Sequence, residues 1–339
     1  MNNFEYASPT SVEQAVALLS STWGESEILA GGTDLLGRMK DYVSTPKRLI
    51  NIKKLPGLHA ISKENGGLRI GALVTLDRIP ESSDIRKNYA ALAECVAEAA
   101  SPQIRNMATI GGNLCQRPRC WYFRNGMGLM PKNSEGKSLV AEGDNRYHAI
   151  LGNDGPAYFV TPSTIAPMLL ALNARVRLIG PGGPREIALE NFFRVPHSED
   201  EREHNLQANE ILTDILVPAA GSGMRAANYE VRQKAAFDWP LVTAAAVLHM
   251  SGNTVQNARV VMGAVAPVPW LSSEAAEAVT GKAIDEDTAA AAGRAAVSKA
   301  RALSENGYKI QIAAVAVKRA LLAASGQPVP NVFAQGGAA

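Results

Sequence analysis

Apolar positions along this chain fall into short periodic runs separated by glycine- and proline-rich punctuation. Val12, Val16 and Leu19 recur at helical spacing behind Ser11, and Gln14 stands three residues beyond that hydroxyl, the spacing of a reciprocal N-terminal cap. Apolar runs at 27–30, 49–52 and 68–72 read as strands, the last preceded by an Asn65-Gly66-Gly67 turn. Ile85, Tyr89, Leu92 and Val96 mark one face of a helix that ends near Ala100, before Pro102. From 114 to 162 no period is sustained. Structureless stretches of that length inside a compact domain usually carry a function or are mobile. Regular patterning resumes with a helix at 166–172, a strand at 175–179 closed by Pro181-Gly182-Gly183-Pro184, and a strand at 210–217. Residues 219–223 have linker composition. Beyond them the pattern predicts strands at 241–249 and 255–264 joined by Ser251-Gly252-Asn253, then alanine-rich helices near 286–303 and 309–324. The Gly/Ala/Pro tail is expected to be disordered. This order of elements is that of an α+β protein in two or three layers.

Two of the punctuating segments share a composition: Leu29-Ala30-Gly31-Gly32-Thr33-Asp34-Leu35 and Ala108-Thr109-Ile110-Gly111-Gly112-Asn113. A glycine pair admits φ > 0 and lets a ligand approach without meeting a Cβ, and successive N–H groups in such a turn form an anion-binding concavity. Two matching segments without a lysine in either point to one diphosphate gripped by backbone amides from both sides. Neither has the G-x-G-x-x-G spacing of a Rossmann unit or the Gly-Lys-Ser/Thr of a P-loop.

Composition narrows the field further. The chain has 339 residues, 46% hydrophobic and 19% charged, with a net charge of +2. That is room for two or three domains of an ordinary globular protein, without the basic footprint of a nucleic-acid or membrane-surface binder. Three cysteines argue against a disulfide framework and for a reducing compartment. No signal peptide and no bilayer-length apolar run is seen, so a cytoplasmic location is expected, with export only alongside a partner subunit. The five histidines are scattered, and no Ser–His–Asp or Cys–His constellation stands out, so no residue is assigned a general acid or base role.

The ordered motifs resemble the FAD-binding (medium) subunit of the molybdenum hydroxylases, the family of xanthine dehydrogenase, aldehyde oxidoreductase and carbon monoxide dehydrogenase. The resemblance runs through Phe4-Glu5-Tyr6, Leu29–Leu35, Ile104-Arg105-Asn106-Met107 and on to Asn113. It continues in Thr161-Pro162-Ser163, Phe237-Asp238-Trp239-Pro240 and Gly263-Ala264-Val265-Ala266-Pro267. It implies a two-subdomain FAD-binding fold of the vanillyl-alcohol-oxidase-like kind at 1–218, divided at about 56/57 with an insert at 114–162. A C-terminal α/β domain of the CO dehydrogenase flavoprotein type would follow at 224–326. The family's pyrophosphate loops fall on Ala30–Asp34 and Thr109–Asn113, with Leu29, Leu35 and Ile110 beside them. The hydroxyls of Thr33 and Thr109 and the amide of Asn113 would add donors, while the Asp34 carboxylate is expected to turn away and brace its loop. Thr164 stands where the family usually has an Asp near the adenosine part. Leu212 is expected to cover the flavin ring. Glu230 replaces a family lysine at the flavin's pyrimidine edge, which would lower the flavin potential unless Lys234 substitutes.

The insert opens Leu114-Cys115-Gln116-Arg117-Pro118-Arg119-Cys120-Trp121-Tyr122-Phe123-Arg124, similar to the aldehyde oxidoreductase branch in which it binds a [4Fe–4S] cluster. Four thiolates are required. Only Cys115 and Cys120 lie in the insert, with His148 as a distant third candidate, and Cys95 reads as helix core. The reading is an insert retained and a cluster lost. Its arginines and aromatics suggest a subunit contact. By resemblance the chain carries electrons on FAD between the iron–sulfur centres of a [2Fe–2S] small subunit, fed by a molybdopterin-binding large subunit, and an external acceptor. A stand-alone flavin oxidase and an assembly subunit without cofactor are the rival readings.

Overall fold

The computed structural model describes residues 1–234 and 237–329, so the tail expected to be disordered lies outside the described residues. Three sheets organise the chain. The first is parallel: β1 (Glu5–Ala7) and β2 (Ser26–Leu29) flank β3 (Arg48–Asn51). The second is antiparallel and is built from β4 (Ile61–Glu64), β5 (Gly67–Gly71), β6 (Arg175–Gly180), β7 (Gly183–Ala188) and β8 (Ile211–Val217), in the order β4-β5-β8-β6-β7. Its first hairpin closes on Asn65 and Gly66 at φ 50° and 79°, the left-handed pair of a two-residue turn. The third sheet holds β9 (Met224–Val231), β10 (Val242–Ser251), β11 (Thr254–Gly263) and β12 (Trp270–Leu271). β7, β9 and the helices Pro102–Met107 and Ser273–Val279 are elements the apolar pattern did not announce.

Alternating strand positions divide between two large cores. One packs the second sheet against the helices Ala90–Glu98 and Ala166–Ala171 through Ile70, Leu92, Val96, Leu169 and Ile215. The other packs β10 and β11 against Glu286–Ala296 and Tyr308–Ala324 through Val260, Met262, Ala292, Ala316 and Val317. Alanine is frequent on those helix faces because it lets them lie close to the sheet. Gly293 completes the approach, since a Cβ there would overlap the carbonyl of Ala314.

Three expectations change. The Ile85–Val96 helix is broken in two, Ser83–Asn88 and Ala90–Glu98, at Tyr89. The Tyr89 hydroxyl donates to the Pro218 carbonyl at 2.6 Å, which holds the break against the segment leading to β9. At the first helix, Gln14 Oε1 accepts from Thr10 N–H at 3.0 Å, one residue before the Ser11 cap that the reciprocal pattern anticipates. The helix placed at 286–303 stops at Ala296, because the chain turns back to meet the insert and Arg301 N–H donates to the Ile150 carbonyl at 2.7 Å.

The insert is irregular but firmly held. Phe123, Leu129, Met130, Ala157 and Phe159 form a small core of its own, while Ile150 and Leu151 enter the C-terminal core. Lys309, 1% exposed, donates from Nζ to the carbonyls of Tyr147, His148 and Ala264 at 3.1, 3.0 and 2.6 Å. Asn306 Nδ2 donates to His148 and Ala149, and Asn145 Oδ1 accepts from Glu305 N–H. An ammonium out of water is costly unless its protons are accepted. Burial accordingly pulls its pKa down to about 7, and the three carbonyls take all three protons.

Candidate functional site

The first glycine segment continues β2 into the helix Leu35–Lys40. Gly32 sits at φ 76°, where a side chain would be strained. Gly31 has a different reason for lacking one, since a Cβ there would overlap the carbonyl oxygen of Met107. The two glycine segments therefore touch, backbone to backbone. Among the described residues the N–H groups of Gly31, Gly32, Thr33 and Asp34 have no hydrogen-bond partner within the chain, and Thr33 is exposed.

The second segment is the start of a helix, Ile110–Cys115, capped by Thr109, whose Oγ1 accepts from Gly112 N–H at 3.1 Å. Ile110 and Gly111 N–H donate to the carbonyls of Val74 and Ala72, and Asn113 N–H to that of Thr109. Every amide from 110 to 113 is thus already engaged, so free amides come from one side only, a revision of the two-sided grip. What this segment offers is a bare surface. A Cβ on the exposed Gly112 would meet only Thr109 Oγ1, at 3.0 Å. Gly111 is small so that the helix can seat on Ala72, 2.7 Å from its missing Cβ. Among the described residues the expected side-chain donors, the Thr33 and Thr109 hydroxyl protons and the Asn113 Nδ2, have no acceptor, the Asn113 Oδ1 accepting from Ser163 at 2.6 Å.

Asp34 stands at a helix N-cap position yet caps nothing. Its carboxylate accepts from Arg38 at 3.1 Å, Arg119 at 2.8 Å and Arg124 at 2.6 Å, and from Arg117 N–H at 3.2 Å. Burial alone would raise its pKa, but Arg119, Arg38 and Arg124 outweigh that and hold it below the usual carboxylate range. It braces its loop, as expected, by way of the insert. The insert's arginines thus find partners inside the chain: Arg117 also pairs with Glu203 at 2.8 Å, and Arg119 lies over Trp239 at 5.0 Å.

Two cavities meet at the paired segments. The first is walled by Trp23, Ile52, His204, Leu206, Ile211 and Leu212; the second by Ile104, Thr164, Glu230, Arg232 and Trp239. Thr33, Asp34, Gly112 and Gln116 line both. Leu212 and Glu230, both assigned to the flavin ring by resemblance, line different cavities. Thr164 shares a cavity with Glu230. Glu230 is not a bare carboxylate, because Arg232 Nη2 meets it at 2.5 Å while burial raises its pKa. Lys234 lines neither cavity, so Arg232, and not Lys234, answers the glutamate.

The fold creates one Cys–His pair that the spacing concealed. Cys120 Sγ lies 3.2 Å from His148 Nε2, beside a third cavity walled by Trp121, Tyr147 and Trp239. Burial lowers His148 to about 4 and raises Cys120, so both are neutral at physiological pH rather than an activated thiolate pair. Cys115 lines the first cavity and Cys95 is buried in the helix Ala90–Glu98. Among the described residues no group of three or more His, Cys, Asp and Glu side chains is placed to hold a metal ion. No helix there is long and apolar enough to cross a membrane.

Residues 2–220 match the family model described as the FAD binding domain in molybdopterin dehydrogenase, and 227–324 that of the CO dehydrogenase flavoprotein C-terminal domain. The chain belongs to the FAD-binding subunit family of the molybdenum hydroxylases. Among its relatives, the aldehyde oxidoreductase FAD-binding subunit PaoB of Escherichia coli K12 is 36% identical over 75% of this chain and 78% of its own. The carbon monoxide dehydrogenase medium chain of Hydrogenophaga pseudoflava is 30% identical over 95% and 96%. The carbon monoxide dehydrogenase structure from that organism covers 97% of this chain and 99% of its matched chain, with a TM-score of 0.75. FAD is accordingly the cofactor, and the residues present fit it. Two cavities joined at a bare glycine surface suit a dinucleotide with its diphosphate in the middle, and free N–H groups and hydroxyls stand at that junction.

Proposed function

We propose that this subunit binds FAD across the two cavities, with the diphosphate against Ala30–Asp34 and Thr109–Asn113, and carries electrons for a larger molybdenum hydroxylase. The observation that supports the reading best is the junction itself, where unpaired amides of one glycine segment face the Cβ-free surface of the other. FAD supplies the redox chemistry. The chain's part is to hold the dinucleotide extended, keep the ring ends apart and set the charge around them through Glu230 and Arg232. We infer a molybdopterin-binding large subunit and a [2Fe–2S] small subunit as partners, an external acceptor downstream, and a cytoplasmic setting. The domain division is read as 1–218, with subdomains 1–56 and 57–218, and 224–326.

Co-purification tests this directly. A tagged chain expressed with its neighbouring reading frames is expected to bring down both partners, and substrate added to the complex should bleach the flavin band. A purified chain that turns over a substrate by itself would replace this reading with the stand-alone oxidase. Leu212→Ala and Glu230→Gln locate the ring: the substitution that shifts the flavin absorption and potential marks the flavin end.

A further inference from the structure

We propose that Arg119, from the insert, is the cationic partner of the cofactor diphosphate. The inference rests on FAD occupying the cleft between the glycine segments. A diphosphate brings two negative charges, neither glycine segment contains a lysine or arginine, and the amides of 110–113 are all engaged. The amides of 31–34 are neutral donors. Asp34 would by itself make the junction repulsive.

The insert reverses that sign. Around Asp34 and the adjoining Arg117–Glu203 pair gather four guanidinium groups (Arg38, Arg117, Arg119, Arg124) against three carboxylates (Glu27, Asp34, Glu203), leaving one positive charge in excess. Most of these cations are fully committed. Arg38 lies between Glu27 and Asp34, and Arg117 is matched by Glu203. Arg124 spends its donors on Asp34 and on the carbonyls of Pro118 and Arg117. Across the cavity, Arg232 is cancelled by Glu230. Arg202, on the far wall of the first cavity, lies over Trp23 at 4.6 Å; among the arginines around Asp34, Arg119 is the exception. Nη1 meets Asp34 and Nη2 donates to Gln116 Oε1 at 2.9 Å; Nε has no partner but is closed off from solvent, so the partly exposed remainder of the side chain is what a ligand would meet. Both of its partners line the section common to the two cavities, and Arg119 itself lines the second. A carboxylate, an amide and the Trp239 face hold the guanidinium in place, so little side-chain entropy remains to be lost on binding. Asp34 thereby acts as a positioning residue, turning a carboxylate in a phosphate loop into an anchor for the charge the phosphate needs.

The test compares FAD with riboflavin, which lacks the diphosphate. Apoprotein is titrated with each by fluorescence quenching, in wild type, Arg119→Gln and Arg119→Lys, at low and high salt. Arg119→Gln is expected to weaken FAD binding about tenfold, corresponding to about 1.4 kcal/mol, to flatten its salt dependence, and to leave riboflavin binding unchanged. Arg119→Lys keeps the charge without the fork and should fall between. Unchanged FAD affinity in Arg119→Gln, or equal loss of FAD and riboflavin, overturns the proposal. Gly32→Val reports on the underlying clamp independently: if that variant binds FAD as wild type does, the clamp reading fails whatever Arg119 shows.

Discussion

The two glycine segments are near copies in sequence and opposites in physics. Gly31-Gly32 is a true loop, with one residue at positive φ, four unpaired amides and a carboxylate lashed to the insert. Gly111-Gly112 is a helix start with ordinary φ, no unpaired amide and no titratable anchor. One donates and the other makes room. Each also has one glycine spent on packing (Gly31 on Met107, Gly111 on Ala72) and one facing the cleft. A Gly-Gly pair therefore reports that a side chain is forbidden, and the reason has to be read from its neighbours.

Substitutions separate the reasons. Gly31→Ala is expected to cost the most, about 3 kcal/mol or more, because backbone must move and both segments shift together; thermal unfolding of the apoprotein reads it directly. A variant of wild-type stability would show that the segments do not meet. Asp34→Asn follows, at about 3 kcal/mol near neutral pH, since buried guanidinium groups lose their counter-charge. The sign with pH is determined by the depressed carboxyl. Its stabilisation is present above the unfolded-state pKa and is lost as pH falls through the lower folded-state value, so Asp34→Asn should flatten the acid limb of stability below about pH 4. An acid limb identical to wild type would detach Asp34 from the insert. Gly32→Ala should cost about 1–2 kcal/mol from the left-handed backbone alone, with Leu36 Cδ1 at 3.0 Å able to swing aside. Gly112→Ala is expected to leave apoprotein stability within about 0.5 kcal/mol of wild type, or to raise it, since alanine favours a helix. A large loss there would mean the surface is packed rather than open.

Much of this was legible from residue order. The Asn65-Gly66 hairpin and β10 and β11 with their turn follow from local signals, because turn chemistry and strand alternation act over a few residues, and the shared composition of the two glycine segments marked both of them. The contacts that assemble the site do not. Asp34 meets Arg119 and Arg124 across 85 and 90 intervening bonds of sequence, and Cys120 meets His148 across 28; no periodicity carries that information. Lys309 falls at the start of the helix expected at 309–324, and only the fold shows it tying down the insert. Local pattern also misled where tertiary contact intervened. Tyr89 satisfied a helical face, but its hydroxyl is held by Pro218 and the helix breaks there. The glycine at 112 was read as a source of an amide, whereas the Thr109 cap, a signal present in the sequence, takes it.

The claim that joins these observations is that Gly112 is bare because a diphosphate lies against it. Gly112→Val tests it most directly, with flavin content by absorbance and apoprotein stability by thermal unfolding measured on the same preparation. The account predicts a folded protein that has lost its bound FAD. A Gly112→Val protein with full flavin occupancy would contradict it.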